Sequence, residues 1–149
     1  MPNKPTTYPA QAFFFPAATL HALIVIPLAV LANTGIIQAL GLLASGHAQE
    51  MLAGFALALV AGYTLGPITL ARGFFLLGIW LVARFLTITG LSPLLASLCS
   101  LLFGVMLALE VLPRYRAARR WRNLAQLPLL GAIALLPGAW ALLREMPTA

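Results

Sequence analysis

Six side chains lying within or beside apolar stretches of this chain can do polar chemistry: His21, His47, Gln49, Glu50, Arg84 and Glu110. Ionisable groups set in apolar runs are costly and tend to mark functional sites. His47, Glu50 and Gly54 are spaced i, i+3 and i+7, which puts them on one face of a helix. Neutral imidazole is a common nitrogen donor, so His47 is a candidate ligand for a metal or a haem iron, whereas His21 reads as a core histidine bonded to a backbone carbonyl or a serine. Glu50 and Arg84 are candidates for orienting such ligands or for contacting acidic groups of a bound molecule. Plainer accounts stand beside these. A carboxylate in the first turn of a helix is favoured by the helix dipole. A histidine at a membrane surface is often only tolerated there. Glu110 stands four residues before Arg114, the spacing of an ordinary helical ion pair. Arg84 can snorkel towards the surface, stack on Trp80 one turn away, or pair with Glu50. No catalytic triad, phosphate-cradling glycine loop, paired carboxylates or H-E-x-x-H is present, so no catalytic residue is assigned.

The elements that must carry these residues are membrane helices. The chain has 149 residues, of which 62% are hydrophobic and 8% charged. Its mean hydropathy is +0.98. Soluble domains are closer to one-quarter charged. The composition predicts an all-α fold, a polytopic integral membrane helix bundle forming one domain. About five transmembrane helices are expected, near 13–33, 46–66, 73–89, 94–112 and 124–143, since about 20 apolar residues cross a hydrocarbon core. Residues Met1 to Gln11 hold Pro2, Pro5 and Pro9 and read as a short irregular tail. Pro16 suits the first turn of the first helix and Pro27 should kink it. Gly66-Pro67 ends the second helix, Arg72 lies in the loop that follows, Gly90 and Pro93 mark a tight turn, and Pro113 closes the fourth helix. The single cysteine, Cys99, lies in an apolar run and excludes an intrachain disulfide.

The second helix is the central one. Gly46, Glu50, Gly54, Ala58, Gly62 and Gly66 recur every fourth residue, a narrow stripe that lets a neighbouring helix backbone come close. Ser97, Ser100, Gly104 and Ala108 form a second such stripe on the fourth helix. Such faces also suit a homo-oligomer or a membrane partner subunit. Arg114, Arg116, Arg119, Arg120 and Arg122 form a basic loop that should be cytoplasmic. The N-terminus is then inside, the C-terminus outside, and the turn carrying His47 and Gln49 outside. An arginine run of this length beside a membrane reads as a topology signal or an anionic-lipid contact, not as a nucleic-acid site. In this topology Glu50 and Arg84 share the outer half of the bilayer. A carboxylate held against a close-packed helix needs a cation, so helix three should bring Arg84 to Glu50.

The stretches FFFPAATLHALIVIPL and GHAQEMLAGFALALVAGYTLGP resemble the N-terminal part of the NnrS family of bacterial membrane proteins. That family's second-helix signature is similar to H-x-H-E-M-L-x-G-F followed by A-G-[FY]. His47, Glu50, Met51, Leu52, Gly54 and Phe55 match it here, as do Ala61, Gly62 and Tyr63. The W-L-x-x-R pattern resembles Trp80, Leu81 and Arg84, and an R-N pair resembles Arg122 and Asn123. The resemblance implies a protein of the bacterial inner membrane that holds haem, copper or both and is linked to nitric oxide metabolism and resistance. It also implies His47, His21, Glu50, Arg84 and Gln49 as cofactor-contacting positions. Two departures stand out. Gln49 replaces the signature's second histidine, and glutamine is a poor donor for haem iron or copper. Family members also commonly carry about twice as many helices, so a complete metal site here implies a partner chain or a second copy. The competing expectation is a non-catalytic membrane scaffold or accessory subunit that packs through its small-residue faces. A transporter or channel component ranks below both, because no pair of broken helices with substrate-binding chemistry is evident.

Overall fold

The computed structural model describes residues 6–37, 50–118 and 131, with the side chains of 114–118 outside the description. The expected fifth span, His47 and Gln49 therefore lie outside the described residues. Helix α1 runs Gln11–Asn33. A π-helical turn, Glu50–Ala56, leads into helix α2, Leu57–Thr64. Helices α3, Leu70–Thr89, and α4, Pro93–Ala118, complete the bundle. Among the described residues three helices, Gln11–Asn33, Leu70–Thr89 and Pro93–Pro113, are long and apolar enough to cross a membrane, and Glu50–Thr64 is a shorter apolar helix.

The surface supports a membrane setting. Leu20, Leu23, Phe74, Phe85, Leu102 and Leu109 are all about half exposed or more. Large apolar side chains spread over a helical bundle in this way need lipid around them. Inside, Phe14, Leu57, Leu65, Leu76, Phe103, Leu107 and Val111 are fully buried. The rings of Phe14 and Phe103 stand 5.8 Å apart and lock α1 onto α4. Those of Phe15 and Tyr63, at 4.8 Å, lock α1 onto α2.

The N-terminal segment differs from the irregular tail that its prolines suggest. Thr7–Pro9 forms a short strand, β1, pairing antiparallel with β2, Pro67–Thr69, in the register Thr7↔Thr69, Tyr8↔Ile68 and Pro9↔Pro67. The Ala10 amide then donates to the Gly66 carbonyl at 3.0 Å. This pairing satisfies backbone groups that α1 and α2 would otherwise leave open at one end of the bundle. It also starts α1 earlier than expected, so Pro16 falls inside the helix and not in its first turn.

Two more boundaries move. Arg72 lies inside α3, which begins at Leu70, and not in a preceding loop. Pro113 sits within α4, which continues to Ala118. A proline removes one backbone donor and bends a helix, but the residues beyond it are ordinary helix formers and the helix resumes. Gly90 ends α3 as its spacing predicts, with φ 67° and its amide donating to the Leu86 carbonyl at 3.0 Å. That left-handed conformation is the reason for glycine there.

Candidate functional site

The polar side chains meet where α1, the π-helical turn, α3 and α4 converge. Glu50 is fully buried and receives two partners. Its Oε1 accepts from Arg84 Nη1 at 2.8 Å. Its Oε2 stands 3.1 Å from Nε2 of His21, an ion-pair distance at which the two atoms lack an aligned hydrogen bond. Arg84 donates through Nη2 to Ser100 Oγ at 2.7 Å. Ser100 in turn donates to the Ala96 carbonyl of its own helix at 2.9 Å. A row of His21, Glu50, Arg84 and Ser100 thus runs across the bundle, and each of the four is buried. The Glu50–Arg84 pair is the one that the sequence argument anticipates.

The surrounding elements fix this row. His21 packs against Trp80 edge-on, with ring centres 5.5 Å apart. Trp80 Nε1 donates to the Gly54 carbonyl at 3.1 Å, tying α3 to the π-helical turn. Such turns are rare within helices and recur at functional sites. Here the turn contains Glu50 at its first position and Gly54 at its fifth. The imidazole of His21 occupies the room that a β-carbon on Gly54 would need. Phe15 uses Gly62, and Phe13 uses Gly73, in the same way. The glycines at 54 and 62 therefore act as slots for side-chain rings of α1, where the sequence reading expected close approach of a helix backbone.

Arg84, His21 and Trp80 also form the floor of a cleft of 540 Å³ between α1 and α3. Its walls are apolar, with Phe13, Leu20 and Ile24 on one side and Leu77, Leu81 and Phe85 on the other. Leu20, Ile24, Leu81 and Phe85 are all more than half exposed, so the cleft opens outwards to the lipid-facing surface.

Glu110 lies elsewhere and pairs with Arg72 of α3. The side chain of Arg114, its expected partner on α4, lies outside the described residues. The residues that sequence reasoning left out of the site are Ser100, Trp80 as a donor, and Gly54 as the seat of His21. Ser100 is visible in the sequence only as part of a small-residue stripe. Its place opposite Arg84 follows from how α3 and α4 pack.

The donor set fits a metal poorly. Among the described residues no three His, Cys, Asp or Glu side chains come together. Nε2 of His21 faces Glu50, and Glu50 is already matched by the Arg84 guanidinium, which would repel a cation. The whole chain has two histidines and one cysteine, so a single copy cannot supply three histidines to copper.

What the fold and the site define is a membrane helix bundle with a row of buried polar side chains, His21, Glu50, Arg84 and Ser100, in its interior. The family profile described as NnrS protein matches residues 10–149, and the chain belongs to that family. No curated protein and no solved structure matches it.

Proposed function

We propose that this chain is a haem- or copper-associated protein of nitric oxide metabolism in the bacterial inner membrane. Its N-terminus is inside and its C-terminus outside, and it forms one membrane domain of about five spans. Family membership and the signature residues around Glu50 support this reading. The observation that carries it is the family match over residues 10–149, and the row of His21, Glu50, Arg84 and Ser100 is the set of buried polar groups that it must account for. Ionisable groups placed this deep in an apolar bundle are expensive and are kept where they act.

In this reading the metal or haem is held through His47, with further ligands from a second copy or a membrane partner. Gln49 does not replace a histidine. The row works beside that site: Arg84 fixes the Glu50 carboxylate in place, and Glu50 holds His21. Groups that anchor a neighbouring side chain in this way set its orientation and basicity. Optical spectra and metal analysis of protein purified with haem and copper supplied test the proposal. Haem or copper should be bound, lost in His47→Ala and kept in His21→Ala. Protein free of both overturns it.

A second reading is an accessory membrane subunit without a cofactor of its own. It is favoured by Gln49 in the signature and by the shortage of nitrogen ligands. It expects metal-free protein and a defined complex, seen by native mass measurement, that persists in His47→Ala.

A further inference from the structure

A helix that passes from a π turn to an α turn cannot pair all of its backbone groups internally. In the π turn each carbonyl bonds the amide five residues on, and in the α-helix the amide four residues on. Where the patterns meet, two carbonyls compete for one amide and one is left over. A buried carbonyl must then find a donor elsewhere. Here that step lies between the π-helical turn, Glu50–Ala56, and α2, which begins at Leu57. Gly54, three residues before α2, is buried, and its carbonyl accepts from Trp80 Nε1 at 3.1 Å. Trp80 is itself buried, so water does not compete for the bond.

We propose that Trp80 is a positioning residue for Glu50: its indole N–H takes up the carbonyl left over at this step and so holds the helix in its π register. The register decides where Glu50 points. A π turn contains one residue more than the α turn it replaces. Tightening it to α would shift the residues at its N-terminal end by one place, a rotation of roughly 100° about the helix axis. Met51 would then stand where Glu50 stands, and Glu50 would leave Arg84 and His21. In the π register Glu50 is fully buried against both, and Met51 is 41% exposed. Trp80 and Arg84 lie one turn apart on α3. The same helix therefore supplies the cation and the donor that turns the carboxylate towards it. The proposal concerns this geometry alone and does not depend on the haem, copper or nitric oxide reading.

The test uses the full chain in lipid nanodiscs, with methionine carrying a carbon-13 methyl group. Dissolved oxygen concentrates in the bilayer and relaxes the methyl groups that face lipid. The chain has four methionines, and Met51→Leu assigns the signal of Met51. That signal should be strongly relaxed in wild type and lose most of the effect in Trp80→Phe, which keeps a ring beside His21 and removes the donor. Met106, partly buried on α4, should not change. Loosened packing alone would leave Met51 as exposed as before or more so, which is the opposite sign. A second variant removes the need for the donor. Deleting Ala56 takes one residue out of the turn, so an unbroken α-helix keeps Glu50 in its place with no carbonyl left over. Trp80→Phe should lower the unfolding midpoint of the full chain and leave that of the deletion variant nearly unchanged. If Trp80→Phe alone does not fold, the deletion should restore its folding. Unchanged or greater relaxation at Met51 overturns the proposal, and so does a deletion that fails to rescue Trp80→Phe. Metal content is not read in this experiment, so its failure leaves the haem and copper assignment untouched, and the converse also holds.

Discussion

The imidazole of His21 fills the space that a β-carbon on Gly54 would occupy, and this brings its Nε2 to the carboxylate of Glu50. The contact joins a packing requirement to a charge requirement. Gly54→Ala should push the ring off Glu50 and destabilise the protein by about 1–3 kcal/mol, the usual cost of overpacking. Combining it with His21→Ala should recover part of that loss, because the clash disappears with the ring. Gly78→Ala is the control. Nothing lies within 4 Å of a β-carbon at Gly78, so that variant should be neutral or slightly stabilising. Thermal unfolding in detergent, followed for wild type and the three variants, checks the set. Equal effects of Gly54→Ala and Gly78→Ala would refute the slot.

Arg84 and Glu50 form a pair in which neither group reaches water. Arg84→Ala should cost about 3–5 kcal/mol, because it leaves a carboxylate buried without its cation. Arg84→Ala together with Glu50→Gln should cost less than Arg84→Ala alone, since the second change removes the stranded charge. Arg84→Lys should not restore stability fully. An ammonium is a compact point charge and does not present the planar fork that spans Glu50 and Ser100. Unfolding midpoints of the three variants decide it, and a double variant worse than Arg84→Ala would reject the pair as described.

Ser97 and Ser100 sit on the same face of α4, both buried, yet they should respond differently. Ser97 donates only to the Pro93 carbonyl of its own helix. Ser100 accepts from Arg84 while donating to Ala96. A hydrogen bond to a charged group contributes about 1.5–3 kcal/mol, against about 1 for a neutral one. Ser100→Ala should therefore be clearly destabilising and Ser97→Ala less so, by about 1 kcal/mol or under. A stability ranking of the two variants measured side by side is sufficient, and the reverse order would remove Ser100 from the row.

Glu50 and Arg84 were legible in the sequence because each is an ionisable residue in an apolar span, and only one basic residue was placed to meet the carboxylate. The spans were legible for the same reason that hydropathy works in membranes: every backbone group must be bonded within the segment. The role of His21 was less visible. Nothing in its neighbours along the chain shows that its ring will need a glycine on another helix. The stripe at Gly54 and Gly62 announced close packing, but small residues look the same whether a backbone or an aromatic ring fills the space. The π-helical turn at Glu50–Ala56 and the strand pair at Thr7–Pro9 and Pro67–Thr69 had no local signal. Both depend on partners far along the chain. Ser100 likewise gained its meaning from the packing of α3 on α4.

The other ion pair, Arg72 with Glu110, makes the opposite case. It also bridges α3 and α4, but the side chain of Arg72 is 57% exposed and that of Glu110 19%. Exposed pairs are worth about 0–1 kcal/mol, because water and salt already solvate both charges. Arg72→Ala should therefore cost well under 1 kcal/mol, and Glu110→Gln should do the same. The small effect should shrink further between 0.05 and 0.5 M salt, on the order expected as the Debye length shortens. Arg84→Ala should keep most of its cost over that range, since no ions reach the buried pair. Unfolding of wild type, Arg72→Ala and Arg84→Ala across the salt series reads both behaviours at once. Equal salt sensitivity in the two variants would mean that the Glu50–Arg84 pair is not shielded from solvent.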